Sequence, residues 1–324
     1  MPHIVRIVTI AMGGRGGPTV AANRQRMAML IEQALAEKPD ILALPETFTL
    51  VGLAEQRIED MAEDVPGPTL EMAANYASDN HTYIICPILA RRPDGLRNEA
   101  FLLDRSGQIA GSYQKHHPVV EGAAYTRLEY GDLPGSAIPV FNTDFGRIGV
   151  QICFDAEYQD GWEALDNAGA EIIFWLSAYD GGRSISSKAW IYHRFVASAV
   201  QSTYARILNL MGETLAITGS HDPIAACDID LDTGLFHMDF NKTQIQAIRA
   251  KYGRDVNIHM YHEEGYFTLQ SNRADLTINQ VAGEFKLEPL KEYIQRNQRL
   301  QDALRNGDPL PDLTPPYLGR IQYI

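Results

Sequence analysis

The chain has 324 residues, 45% hydrophobic and 21% charged, which is ordinary globular composition with length enough for a sizeable core. A formal net charge of -13, with no run of lysine or arginine, argues against a nucleic-acid surface. Three cysteines, Cys86, Cys153 and Cys227, make neither a disulfide framework nor a CxxC metal motif and point to a reducing cytoplasm.

Ile4 to Ala11 (IVRIVTIA) predicts a strand, and an apolar stretch so short and early is not expected to be a signal peptide. No apolar run reaches spanning length, so a cytoplasmic protein without membrane contact is expected. The loop GGRGGPT lacks the GxGxxG spacing of a dinucleotide site, and no cofactor is expected. Thr19 or Asn23 opens a helix through Ala36, with Met27, Leu30, Ile31 and Leu35 on one face. Ile41 to Leu44 predicts a buried strand stopped by Pro45, and Glu46 follows at once. The commoner role for such a glutamate is a solvated loop residue; the functional one is a general base at the sheet's C-terminal edge, its pKa raised by partial burial.

Thr69 is expected to cap a helix from Leu70 to about Ser78. Strands follow at His81 to Leu89 and Asn98 to Leu103, and residues 104–108 turn back into Ile109 to Tyr113. Lys115 stands just past that strand end. His116 and His117 are adjacent, a poor spacing for a metal, and no third ligand is spaced nearby, so no metal is expected. Glu121, Glu129 and Asp132 lie in the loop beyond.

Phe145 to Trp162 (FGRIGVQICFDAEYQDGW) reads as a turn, a short buried strand and a cysteine where the strand stops, followed by a helix to Asn167. Most free cysteines are small buried hydrophobes. At the junction of a strand and a helix, however, backbone N–H groups favour an anion, so the Cys153 thiol would ionise more easily there. Glu171 to Leu176 predicts the next strand, the SAYDGG loop from Ser177 a pocket wall, and Ser187 to Ser202 a helix. Later strands are expected at Thr203 to Leu208, Leu215 to Thr218 and Cys227 to Leu231. Pro289 opens a helix with a thin stripe of Leu290, Ile294, Leu300 and Leu304, and residues 307–320 run extended. Alternating strands and helices with inserted hairpins give an α/β fold with mixed β-sheets.

Glu46, Lys115 and Cys153 thus occupy comparable places, and their chemistry is complementary: a base, a cation for an oxyanion, and a nucleophile. The motifs LPE around Glu46, YQKHHP around Lys115 and GVQICFD around Cys153 arrive in the order seen in the nitrilase superfamily of carbon–nitrogen hydrolases, which the chain resembles over about residues 4–235. The resemblance implies a four-layer αββα sandwich that assembles as a homodimer or larger homo-oligomer. It implies Cys153 as nucleophile, Glu46 as general base and Lys115 as stabiliser of the tetrahedral intermediate, helped by the backbone N–H of Phe154. Phe154, Ser177, Ala178 and Tyr179 would contact substrate. It also implies a second glutamate after the lysine, for which Glu121 matches best by its place after HPVV and Glu129 is the rival. Where the family often has Arg-Ala-x-Glu-Asn, this chain has Ser198-Ala199-Val200-Gln201-Ser202.

Cys153-Phe154-Asp155 resembles the amidase and carbamoylase branches more than the Cys-Trp-Glu of true nitrilases. The expectation is hydrolysis of a small linear amide or N-carbamoyl compound through a thioester, releasing ammonia or an amine. The alternatives are a nitrilase acting on a nitrile, an acyltransferase, or a non-catalytic binding protein on the same fold. Arg127, Arg183 or Lys188 would supply a cation for a substrate carboxylate. The hydrolase domain is expected over 1–275, with 276–324 as a helix and extended tail packing on the domain or a partner subunit.

Overall fold

The computed structural model describes residues 2–53, 58–121 and 127–311. The chain forms two compact units, residues 5–229 and residues 230–324 with 1–4.

The larger unit begins with β1 (Ile4–Ile10), α1 (Val20–Leu35), β2 (Ile41–Ala43), α2 (Ile58–Met61), α3 (Pro68–Asn80), β3 (Tyr83–Arg92), β4 (Gly95–Leu103) and β5 (Ile109–Gln114). A two-strand ladder follows, β6 (Val120–Glu121) with β7 (Arg127–Leu128), and then β8 (Val140–Thr143), β9 (Gly146–Ile152), α4 (Asp160–Asn167) and β10 (Ile172–Ser177). The unit finishes with α5 (Arg183–Tyr192), β11 (Phe195–Val200), β12 (Arg206–Leu208), β13 (Thr214–Ile217) and β14 (Ile224–Asp230).

The strands make two six-stranded sheets, ordered β14-β1-β2-β3-β4-β5 and β13-β12-β11-β10-β9-β8. Each has a parallel centre and antiparallel margins: Ile7 lies opposite Ile41 and Ile41 opposite Tyr83, while Ile172 lies opposite both Ile148 and Phe195. Parallel register brings the carboxyl ends of β1–β3 to one edge and those of β9–β11 to another. That is where an open α/β sheet gathers reactive groups.

Both faces of each sheet are covered. Val8, Ile10, Leu42, Ile84 and Cys86 share a core with Met27 and Ile31 of α1 and Leu70 and Ala73 of α3. The alternate residues Ile7, Ile41 and Ile85 are also buried, on the face away from those helices. Ile173, Trp175 and Val196 pack on Trp162 and Leu165 of α4 and Ile185 and Ala189 of α5. The Thr9 hydroxyl donates to the Ser198 carbonyl, and Met12 N–H to the Val200 carbonyl at 3.0 Å, joining the sheets. Helix, sheet, sheet, helix is the expected αββα sandwich.

Three local expectations are corrected. Thr69 does not cap α3: Gly67 holds the cap position with Pro68 in the first turn, and Thr69 bonds Glu63. The segment Ser187 to Ser202 is not one helix, because His193 closes α5 in left-handed backbone and FVASAV then joins β10 as a strand buried at all six positions. The segment after Cys153 opens as a short 3-10 turn, Cys153–Glu157, and α4 starts only at Asp160.

The smaller unit contains β15 (Gly234–His237), α6 (Ile245–Tyr252), β16 (Val256–Tyr261), β17 (Tyr266–Ser271), α7 (Ile278–Phe285) and α8 (Leu290–Asn306). Its antiparallel sheet, β15-β17-β16, carries a core of Phe236, Ile248, Phe267, Leu269, Val281 and Leu287. The division therefore falls at 229/230, not 275/276, because α7 shares that core with β17 instead of separating from it. Pro289 stands at the start of α8 as expected, but of the predicted stripe Leu290 is buried while Ile294 and Leu304 are 49% and 63% exposed. The expected extended tail beyond 311 lies outside the described residues.

Candidate active site

Glu46 follows β2 and is buried. Its Oε1 accepts from Asn98 Nδ2 at 2.8 Å and from Lys115 Nζ at 3.0 Å. Lys115 follows β5, is 1% exposed, and its Nζ also donates to Glu129 Oε1. Burial opposes the Lys115 charge, but Glu46, Cys153 and Glu129 outweigh it and raise the pKa, so the side chain is an ammonium across the whole working range. Glu129, raised by burial and by Glu46 and lowered by Lys115, completes the buried cluster.

The structure therefore places Glu129, and not Glu121, on Lys115. Glu121 sits in the β6–β7 ladder and pairs with Arg127 at 2.9 Å. Glu129 follows β7, and its N–H bonds the Val119 carbonyl at 2.8 Å.

Cys153 follows β9 with a φ of +48°, and the Trp175 indole N–H donates to its carbonyl at 2.9 Å. A non-glycine residue held in the left-handed region costs about 1–3 kcal/mol, so the surrounding structure must enforce it. The thiol is pushed up to about 12, first by burial and then by Glu46; Lys115, the Ala178 N–H and the Ser177 hydroxyl pull the other way. The expectation that the turn eases ionisation is thus overturned. At rest Cys153 is a thiol among groups able to take its proton.

Ser177 is buried at the end of β10, and its hydroxyl also accepts from Tyr179 N–H at 3.1 Å. Burial and then Cys153 raise the pKa of Tyr179, which stands edge-on to Trp175. Ser177, Ala178 and Tyr179 thus border the thiol. Phe154 is half-buried and packs edge-on against Tyr158.

Several contributors stood outside the sequence-derived triad. Gln201 Nε2, at the position where a glutamate was expected, donates to the Glu46 carbonyl at 2.7 Å. Asp155 is buried and accepts from Tyr113 Oη, from Ile152 N–H and from both the backbone N–H and Nδ1 of His117. Asp132 is also buried, and burial and then Glu129 push its carboxyl up to about 7 against the pull of Lys115. Gln201 stood where the family often has a glutamate, but nothing in spacing marked Asp132.

Of the cations expected to greet a substrate carboxylate, Lys188 is already engaged, donating to the Tyr158 carbonyl at 2.8 Å over the Trp162 ring. Arg127 belongs to the Glu121 pair, and Arg183 opens α5 at an exposed position. Spacing along the sequence offers the histidine pair no third ligand, but the fold brings Asp160 to both rings.

Residues 5–230 match the model of the carbon–nitrogen hydrolase family, one residue more than the larger unit. The chain belongs to that family. A beta-ureidopropionase of Arabidopsis thaliana is 28% identical over 193 residues, covering 58% of this chain and 47% of that protein. An omega-amidase NIT2 of Xenopus tropicalis is 22% identical over 236 residues, covering 66% of this chain and 85% of that protein. The chain thus spans less than half of the first relative's length and most of the second's. Among solved structures, Saccharomyces cerevisiae Nit3, a member of the nitrilase superfamily, aligns with a TM-score of 0.61 at 18% identity, covering 78% of this chain and 96% of that one. An amidase from Nesterenkonia sp. aligns with a TM-score of 0.59 at 18% identity, covering 71% and 91%. These two support the fold.

Proposed function

We propose that this chain hydrolyses the C–N bond of a small linear amide or N-carbamoyl compound through a thioester on Cys153. The observation that carries the reading is the Lys115 ammonium held between Glu46 and Glu129, with the Cys153 thiol close enough to feel both Glu46 and Lys115. Because the thiol rests protonated, attack requires a base at the moment of reaction. Glu46 takes the Sγ–H proton as the Sγ–C bond forms, and the carbonyl electrons move onto oxygen. Lys115 Nζ and the Phe154 N–H receive that oxyanion. On collapse the C–N bond breaks, Glu46 returns its proton to the departing nitrogen, and ammonia or an amine leaves. Water then attacks the thioester, giving its proton to Glu46, and on collapse the Sγ–C bond breaks, Glu46 returns the proton to Sγ, and the acid leaves. Glu129 is the positioning residue for Lys115.

The relatives that support this substrate class are a ureidopropionase and an omega-amidase. The proposal extends to a cytoplasmic homodimer or larger homo-oligomer; among the described residues no helix is long and apolar enough to cross a membrane. The test is ammonia release from linear amides, N-carbamoyl amino acids and nitriles beside a Cys153→Ala control. Ammonia from the first two classes, lost in the control, supports the reading. Turnover of nitriles alone, or turnover that survives the substitution, overturns it.

A further inference from the structure

Beyond the hydrolytic cluster, the turn after Lys115 and the first turn of α4 bring three ligating side chains together. One ring nitrogen each of His116 and His117 and a carboxylate oxygen of Asp160 lie within 4.8 Å of one another. Asp160 Oδ2 is 3.8 Å from His116 Nε2 and 3.3 Å from His117 Nε2. A tetrahedral ion with bonds of about 2.0–2.1 Å has ligand-to-ligand edges of about 3.4 Å, and both edges to Asp160 lie within about half an ångström of that.

The His117 ring is already aimed. Its Nδ1 contacts Asp155 Oδ1 at 3.0 Å, and its face stacks on Tyr158 at 3.7 Å with planes 3° apart. A carboxylate on the far ring nitrogen is the arrangement that orients metal-bound histidines and makes them better donors. Asp160 is 57% exposed, so an ion has a path in and water can fill the fourth position. Two imidazoles and a carboxylate suit zinc or a similar divalent transition ion better than calcium or magnesium.

We propose that His116, His117 and Asp160 form a divalent transition-metal site of the zinc type, which fastens the segment following Lys115 to the start of α4. The site shares no ligand with the proposed catalytic cluster, so it stands or falls independently of the hydrolytic reading.

The test is calorimetric titration of Zn2+ into the full chain carrying Cys153→Ala, which removes the thiol as a competing ligand. One ion per chain is expected, with His116→Ala and Asp160→Asn each weakening binding about tenfold or more. Zn2+ should also raise the melting temperature, and that rise should vanish in both variants. Co2+ in the same site should give the intense visible absorption of tetrahedral ligation. No saturable binding, binding unchanged by both substitutions, or a weak octahedral cobalt spectrum overturns the proposal.

Discussion

Asp155 Oδ2 accepts the Tyr113 hydroxyl at 2.7 Å, so β5, which delivers Lys115, and the turn that begins at Cys153 close on one buried carboxylate. The same oxygen accepts Ile152 N–H at 2.8 Å, and Oδ1 accepts His117 N–H at 2.8 Å. Residues on both sides of the proposed nucleophile and its cation thus answer to one side chain from opposite sheets. An aspartate after Cys-Phe therefore has a mechanical meaning here, whatever substrate class it accompanies.

Replacing that carboxylate should separate the two elements. Asp155→Asn puts an amide donor where N–H and O–H groups converge, and breaking a buried charged network this way costs about 3–5 kcal/mol. Tyr113→Phe removes the hydroxyl that donates to Asp155 and accepts from His116 N–H and Gln151 Nε2, keeps the carboxylate, and should cost about 1–3 kcal/mol. Urea unfolding ranks the two, and kcat should fall in the same order. If Asp155→Asn unfolds and turns over like the parent, the clamp does not position the cluster.

Glu129 and Glu121 make opposite predictions. Glu129→Gln removes the negative partner that holds the buried Lys115 ammonium and should lower kcat/KM about a hundredfold, the scale seen when one preorganised oxyanion contact is lost. Glu121→Gln only frees Arg127, whose side chain is 65% exposed, and should leave kcat/KM within about a factor of three, since exposed pairs contribute little. Steady-state rates on whichever amide the panel identifies decide this. A large loss at Glu121 with none at Glu129 would reverse the assignment.

What could be read beforehand followed from strand ends. Glu46, Lys115 and Cys153 each stand at or just past an expected strand end, and residue type at such a place carries chemical meaning without knowledge of the turns between. Glu121 against Glu129 could not be decided that way, because the choice depends on the pairing of β6 with β7, which ties Glu121 to Arg127, and either residue satisfies a count along the sequence. FVASAV was lost to a helix because a run buried on both faces has no period-2 signature. Asp160 was invisible beside His116 and His117 because three-dimensional closure, not spacing, supplies it. The core of the smaller unit was missed for a related reason: Phe236 and Phe267 pair across β15 and β17, a contact no local window contains.

Asp132 should give stability a pH dependence of known sign. Its folded pKa, about 7, lies above the ordinary aspartate value of about 3.9, so the folded chain binds the proton more tightly than the unfolded one. That contribution is fully present below about pH 4 and is lost as pH rises toward 7. Asp132→Asn, which keeps the shape without the charge, should lose less stability than the parent between pH 5 and pH 8 in urea unfolding. Parallel pH profiles for the two proteins would show that the Asp132 carboxyl is not raised.

Glu46→Gln separates the electrostatics of the thiol from its chemistry. With its pKa raised, Cys153 rests as the thiol at pH 8, and after burial Glu46 is the largest cause. Removing its charge leaves Lys115, the Ala178 N–H and the Ser177 hydroxyl, all of which favour the thiolate. Alkylation of Cys153 by iodoacetamide, located by peptide mass spectrometry, should therefore be at least as fast in Glu46→Gln as in the parent. Buried Cys86 serves as the slow internal reference. Ammonia release should nevertheless fall by about 10²–10⁴, the share that proton transfer supplies. If alkylation falls together with hydrolysis, Glu46 must receive the proton even in a step without a nitrogen leaving group, and its field is not what holds the thiol protonated.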